Sequence, residues 1–189
     1  MELSKLEKTI GHKFTNKDLL KEALTHRSYI NENPKWGIED NERLEFLGDA
    51  VLELSVTEEL FKRFPERKEG AMTSYRAALV NYVMLAKIAG EIDLDKFIML
   101  SKGEARDTGK AREVILANAM ESLIGAIYLD AGQDAARKFI NDFVLEHLGD
   151  VYLEMKNDPQ AVRYWRLAAA IDTKSESLRK KIQDHEKRR

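Results

Sequence analysis

The side chains best placed to do chemistry are carboxylates in two short stretches. In Asn41 to Leu52 (NERLEFLGDAVL), Glu42, Glu45 and Asp49 stand at i, i+3 and i+7. On a helix they share one face, where like charges repel. A solvated acidic face is the ordinary reading of such a triplet. Gly48 argues against it, because a glycine inside a helix costs about 1 kcal/mol relative to alanine and usually permits the close approach of another group. In the second stretch, Val114 to Tyr128, only Asn118, Glu121 and Ser122 are strongly polar among apolar residues. A helix apolar nearly all round is a buried one. Glu121 has no lysine or arginine in its own stretch, and burying an ionised carboxylate uncompensated is prohibitive. A divalent cation shared with the first cluster would compensate it. A hydrogen bond to backbone, or an opening to solvent, would do the same.

The composition limits what such a site can hold. There is no cysteine, and His12, His26, His147 and His185 are scattered, so a metal must sit on oxygen ligands. The net charge of −2 argues against a general nucleic-acid-binding surface. Residues 1–148 carry the acidic excess and 149–189 are net basic. A domain of that sign binds a polyanion only with help from metal ions or a local basic strip. Arg106, Lys110 and Arg112 around the polar loop Ser101 to Gly109, with Arg76, are the candidates for phosphate contacts, although exposed basic residues also serve simply as solubilising surface. No run is expected to approach the roughly 18 apolar residues of a membrane span, and the N-terminus has no hydrophobic run, so a cytoplasmic protein is expected.

The elements that must position these residues are helical. Hydrophobic residues at 43% exclude disorder throughout, and helical periods dominate with almost no alternation, so the fold class is all-α. Helices are predicted over Leu3 to Ile10, from a cap at Thr15 or Asn16 through Leu24, and from about Asn41 to Phe64 before Pro65. Another runs from Glu69 to Gly90. Further helices follow from Lys110 to Asp130, and beyond a break at Gly132 from Asp134 to Met155. Pro159 opens one over Gln160 to Ile171, and Ser175 to His185 forms the last. Ser28 to Glu39 reads as a loop and Ile92 to Leu100 as an apolar connector.

Glu42 to Leu52 resembles the signature of the ribonuclease III family almost without change. The order of that helix, Glu69 Gly70 before a helix with Arg76, Ala77, Leu79 and Val80, the Gly103 Glu104 loop and the Ile115 to Tyr128 helix is similar to the family's catalytic domain across residues 3 to 148. The resemblance implies an all-helical homodimer in which each subunit's metal site cuts one strand of double-stranded RNA, leaving 5′-phosphates and short 3′ overhangs. It implies metal ligands at Glu45, Asp49 and Glu121, supporting acids at Glu42 and Glu69 near the scissile strand, and Mg²⁺ as cofactor with Mn²⁺ as a substitute. It makes Phe46, beside Leu47, a dimer contact entering a pocket of the partner. A core role for Phe46 is the alternative that spacing leaves open. One position departs from the pattern: Asn118 stands where the family usually has aspartate. Its carbonyl oxygen can still coordinate, but a negative charge is given up, which weakens metal affinity.

The resemblance divides the chain into a catalytic domain, 1–148, and a helical tail, 149–189. Nothing after residue 148 resembles the double-stranded-RNA-binding domain of bacterial members. Leu148, Gly149, Tyr152, Ala161, Trp165 and Ala168 instead fall at the offsets of a single tetratricopeptide repeat, a helical hairpin with Ser175 to Arg189 as its cap. Trp165 then packs rather than stacks on a base, and the tail is a possible docking site for a protein partner. An active endonuclease in RNA processing is the leading expectation. Its rivals are a catalytically weak or silent dimer that binds RNA or a protein, and a structural helical adaptor.

Overall fold

The computed structural model describes residues 2–154, 162, 165–166 and 176–186. Among them the chain is helical, as expected: α1 (Leu3–Ile10), α2 (Lys17–Ala23), α3 (Arg27–Glu32), α4 (Glu42–Arg63), α5 (Glu69–Leu79), α6 (Tyr82–Glu91), α7 (Lys110–Glu154) and α8 (Glu176–Glu186), with 3₁₀ turns at Leu94–Lys96 and Glu104–Arg106. The only bridge of strand type among the described residues joins Thr25 to Met99 in parallel sense.

The first half of α7 is the axis of the fold. Ile115, Ala117, Ala119, Met120, Leu123, Ile124, Ala126 and Ile127 are all buried, with α2, α4, α5 and α6 packed around them. Burying a large apolar side chain contributes roughly 1.5–3 kcal/mol, so this helix holds its neighbours mainly through hydrophobic contact. Contrary to the sequence expectation, Lys110–Asp142 is long and apolar enough to meet the composition of a membrane span. Just over half of its most apolar stretch is buried inside the fold.

At the crossing of α4 and α7 the two helices approach backbone to backbone. A Cβ placed on Gly48 would lie 1.7 Å from the backbone oxygen of Glu121, and one on Gly125 would lie 2.3 Å from the backbone oxygen of Leu44. The two backbones therefore touch, and each glycine is there because no side chain fits. Ser122, fully buried, lies with its Oγ 3.1 Å from the Asn41 carbonyl and 2.7 Å from that of Asn118, so its hydroxyl ties the first turn of α4 to α7.

Buried carboxylates fix the N-terminal hairpin. Asp130, whose side chain is 2% exposed, accepts from the backbone N–H groups of Thr15 (3.0 Å) and Asn16 (2.8 Å), and pairs with His12 Nε2 at 3.0 Å. Burial alone would raise its pKa, but these donors hold it below the usual carboxylate range. Glu7 does the same for the Phe14 N–H (2.7 Å) and Lys17.

Two elements differ from the sequence expectation. α3 lies inside the segment read as a loop; it is six residues long, buries none of them, and so shows no apolar period. The segment Glu69 to Gly90 is two helices, because Asn81 caps α6 by accepting from the Met84 N–H while its amide donates to the carbonyls of Ala77 and Ala78. At Gly132 a non-helical backbone (φ 82°, ψ −177°) breaks α7 into two helical stretches, where the sequence placed the break, and the second runs past residue 148 to Glu154. Most of the hairpin expected over Gln160 to Ile171 lies outside the described residues. Trp165 is fully buried, with the His185 ring 5.2 Å away and the Lys181 ammonium 5.9 Å from its ring, as packing requires.

Gly48→Ala is expected to cost about 3 kcal/mol or more, because its methyl meets backbone. In thermal denaturation this appears as a melting temperature lower by roughly 6–12 °C for a chain of this size. Gly70→Ala, with open space around it, should change the melting temperature little.

Candidate active site

The crossing brings the two acidic stretches to one cavity of about 450 Å³, lined by His26, Asn41, Glu42, Glu45, Phe46, Asp49, Asn118 and Glu121. Glu42, Glu45 and Asp49 come from the first two turns of α4, whose start is held by the Glu45 N–H donating to the Asn41 carbonyl at 2.8 Å. Asn118 and Glu121 come from one turn of α7. The solvated-face reading therefore fails for Glu45, which is half-buried, and holds in part for Glu42 and Asp49, which are exposed.

The electrostatics follow from that assembly. Burial, with Asp49 and then Glu45 beside it, pushes the Glu121 carboxyl up to about 7. Glu45 is also raised, by burial and by Glu42, against a hydrogen bond from the Asn118 amide, with Asp49 adding to the rise. The N-terminal end of the α4 dipole offsets part of this repulsion. At the rim, Arg27 reaches Glu42 at 3.3 Å, a pair exposed on both sides. No lysine or arginine lines the cavity itself.

Such a cavity suits a hard cation. Its carboxylate and amide oxygens are the ligands that Mg²⁺ and Mn²⁺ take, and a divalent charge relieves the repulsion that raises Glu45 and Glu121. Among the described residues no three Asp, Glu or His side chains already converge closely enough to hold an ion. The acids ring the space, and binding requires the flexible glutamates to turn inward.

The other residues singled out from the sequence divide. Glu69 is not brought to this cavity; it lines another, with Thr57, Leu60, Phe61, Met72, Thr73 and Arg76, and accepts from Thr73 Oγ1 at 2.8 Å. Arg76 is engaged by Glu53 (2.9 Å) and Thr57 (3.0 Å), and Arg112 donates to the Asp95 carbonyl at 3.3 Å. Arg106 and Lys110 are exposed, the latter 5.8 Å from the Tyr82 ring. Phe46 is 83% exposed, which rules out a core role within one chain. Leu47 lies half-buried beside it, in the wall of an adjoining apolar pocket with Leu19, Leu44 and Leu129. His26 and Asn41 were missed. Asn41 is 2% exposed and bolted at both ends, a role announced in sequence only by its place before the first acid.

Residues 16–148 match the family model described as ribonuclease-III-like. Ribonuclease 3 of Carboxydothermus hydrogenoformans is 49% identical over 152 residues, covering 80% of this chain and 65% of the relative. Ribonuclease 3 of a Geobacillus species is 46% identical, covering 77% of this chain and 59% of the relative. The chain thus spans less than two thirds of the length of these relatives. The nuclease domain of ribonuclease III from Campylobacter jejuni, a solved structure described as flexible in a region involved in dimer formation, is similar with a TM-score of 0.69 and 43% identity, over 76% of this chain and 96% of that one. With the family model matched over residues 16–148 and relatives close to half identical, the chain belongs to the ribonuclease-III-like family.

Proposed function

We propose that the chain is a divalent-metal-dependent endoribonuclease that cleaves double-stranded RNA as a homodimer. The observation that carries this is the single cavity in which Glu45, Asp49, Asn118 and Glu121 meet, with the carboxyls of Glu45 and Glu121 raised by burial and by neighbouring acids. Those four side chains would hold Mg²⁺, or Mn²⁺ in its place. When bound, the ion lowers the pKa of a water and neutralises charge on the phosphate. The acids exclude anionic competitors until a cation is present, and the Asn118 amide favours the ionised form of Glu45. Hydrolysis of the phosphodiester then leaves a 5′-phosphate, and two offset cuts leave short 3′ overhangs. Residues 1–148 form the catalytic domain in this reading, and 149–189 a helical tail.

Phe46 and its neighbouring pocket support the dimer. A protruding ring beside an apolar hollow on the same face lets two copies exchange knobs about a two-fold axis, as an isologous interface requires. The exchange sets two acidic cavities against one duplex. Glu69 joins as a supporting acid only where the RNA also crosses the second cavity, whose Thr57 lies about 12 Å along α4 from Asp49. Arg106 and Lys110, exposed, are the phosphate contacts best supported in this domain, ahead of Arg76 and Arg112.

Glu121→Gln should reduce Mg²⁺-dependent cleavage of a labelled RNA duplex by at least about a hundredfold. Its melting temperature without metal should not fall, since a carboxylate under repulsion is removed. A duplex cut equally well by both proteins would falsify the assignment of Glu121.

The pH dependence has a definite sign. Glu121 takes up a proton on folding between about pH 4.5 and about 7, so its contribution to metal-free stability falls as pH rises through that window. Above it the ionised group binds cations. The rise in melting temperature caused by Mg²⁺ should therefore be small at pH 6 and larger at pH 8. A shift that does not change with pH removes Glu121 from the ion.

Phe46→Asp should give a folded monomer in sedimentation equilibrium, with the melting temperature of the isolated subunit preserved because the ring is solvent-exposed within one chain. Persistence of the dimer would place the interface elsewhere.

A further inference from the structure

His26 stands in the wall of the acidic cavity, and its geometry is fixed from several sides. Its backbone N–H donates to the Met99 carbonyl at 3.1 Å, next to the Thr25–Met99 bridge, and the Thr25 carbonyl accepts from the Asn41 N–H at 2.9 Å. Its ring caps α3: Nδ1 accepts from the Ser28 N–H at 3.3 Å and lies 2.8 Å from Ser28 Oγ, which itself accepts from the Ser101 N–H at 3.0 Å. A backbone N–H can only donate. Nδ1 therefore carries the lone pair, and the ring's proton sits on Nε2. All of the ring's polar contacts to the described residues run through Nδ1, which leaves the Nε2–H without a partner among them.

That donor is unusual in its surroundings. Apart from the amides of Asn41, one of whose hydrogens goes to the Ala23 carbonyl at 3.5 Å, and of Asn118, which favours the ionised form of Glu45, His26 holds the only side-chain N–H among the described lining residues. The remaining polar lining is carboxylate. An anionic strand entering such a space needs a donor placed in advance, and cation binding does not provide one on the side away from the ion. We infer that His26 is a substrate-binding residue of this site, donating Nε2–H to a phosphate oxygen of the RNA strand, with its orientation set by Ser28 and the Ser101 backbone. This rests on the nuclease reading above for the identity of the strand. The link through Ser101 also ties the ring to the start of the loop that carries Arg106, so two phosphate contacts share one register.

The test compares the full-length protein with His26→Asn and His26→Gln. Asparagine is a good helix cap and keeps a short acceptor for the Ser28 N–H, but lacks the far donor. Glutamine returns an amide N–H near the Nε2 position. For His26→Asn the Mn²⁺-induced rise in melting temperature should match the wild type, while kcat/KM on duplex RNA falls about tenfold or more, chiefly through KM. His26→Gln should recover part of that loss. Duplex affinity in Ca²⁺, read by fluorescence anisotropy, should weaken in parallel for His26→Asn. An Asn variant within twofold of wild type in both KM and affinity overturns the inference. Loss of the Mn²⁺ shift overturns it too, by making His26 a metal ligand. If the wild type binds the duplex without cutting it and His26→Asn binds more weakly, the inference stands and the nuclease reading fails. If the wild type neither binds nor cuts, both fail.

Discussion

Everything in the site depends on two backbones touching. Gly48 on α4 and Gly125 on α7 allow an approach that any side chain would block, and Glu121 contributes the backbone oxygen against which α4 rests. The carboxylate of that same residue then faces the acids of α4 across the cavity. Packing and chemistry are coupled through one residue: a shift that separated the helices by a methyl group would also take Glu121 away from Glu45 and Asp49. The Ser122 hydroxyl, shared between the two helices, limits sliding along the crossing, so distance and register are both set within one helical turn of the acids.

The arrangement is locally unfavourable, and the rest of the fold must offset it. Burial and neighbouring carboxylates raise Glu45 and Glu121, and no lysine or arginine lines the cavity to relieve them. A domain built only for stability would place a lysine there or let the acids splay into water. What permits the strain is the apolar packing around α7 together with carboxylates of the opposite kind, such as Asp130 and Glu7, which are buried but fully served by donors. The same residue type is thus used in two ways. Where backbone N–H groups surround a carboxylate, burial yields structure; where other carboxylates surround it, burial yields a demand for a cation.

How far this was legible in the sequence depended on whether a residue's role was written in its period. The spacing of Glu42, Glu45 and Asp49 is a statement about one helix face, and an apolar stretch around Glu121 is a statement about burial, so both survived into the structure. The family resemblance supplied what periods do not, the pairing of the two stretches. It could not place Glu69, because carrying a role from one sequence to another says nothing about which cavity a side chain enters within a single chain. α3 and the split at Asn81 were invisible for a different reason. One buries nothing and so has no pattern, and the other is cut by a side-chain cap inside an unbroken apolar run. His26 escaped because an imidazole is not among the usual capping residues, and a lone histidine carries no spacing to interpret.

Asn118 changes the balance of the site more than its ability to coordinate would suggest. An aspartate at this position would add a further charge to a cavity that already raises two carboxyls. The amide instead donates to Glu45 and favours that group's ionised form. Asparagine therefore lowers the charge available to a cation while improving the readiness of one of its neighbours. The two effects oppose each other in affinity: lost charge weakens the bound complex, whereas the amide offsets part of the rise that burial and Glu42 impose on Glu45. A site of this kind binds its ion less tightly than one with a full set of carboxylates yet carries less repulsion before the ion arrives, which is why the substitution by itself is a poor reason to read the chain as silent.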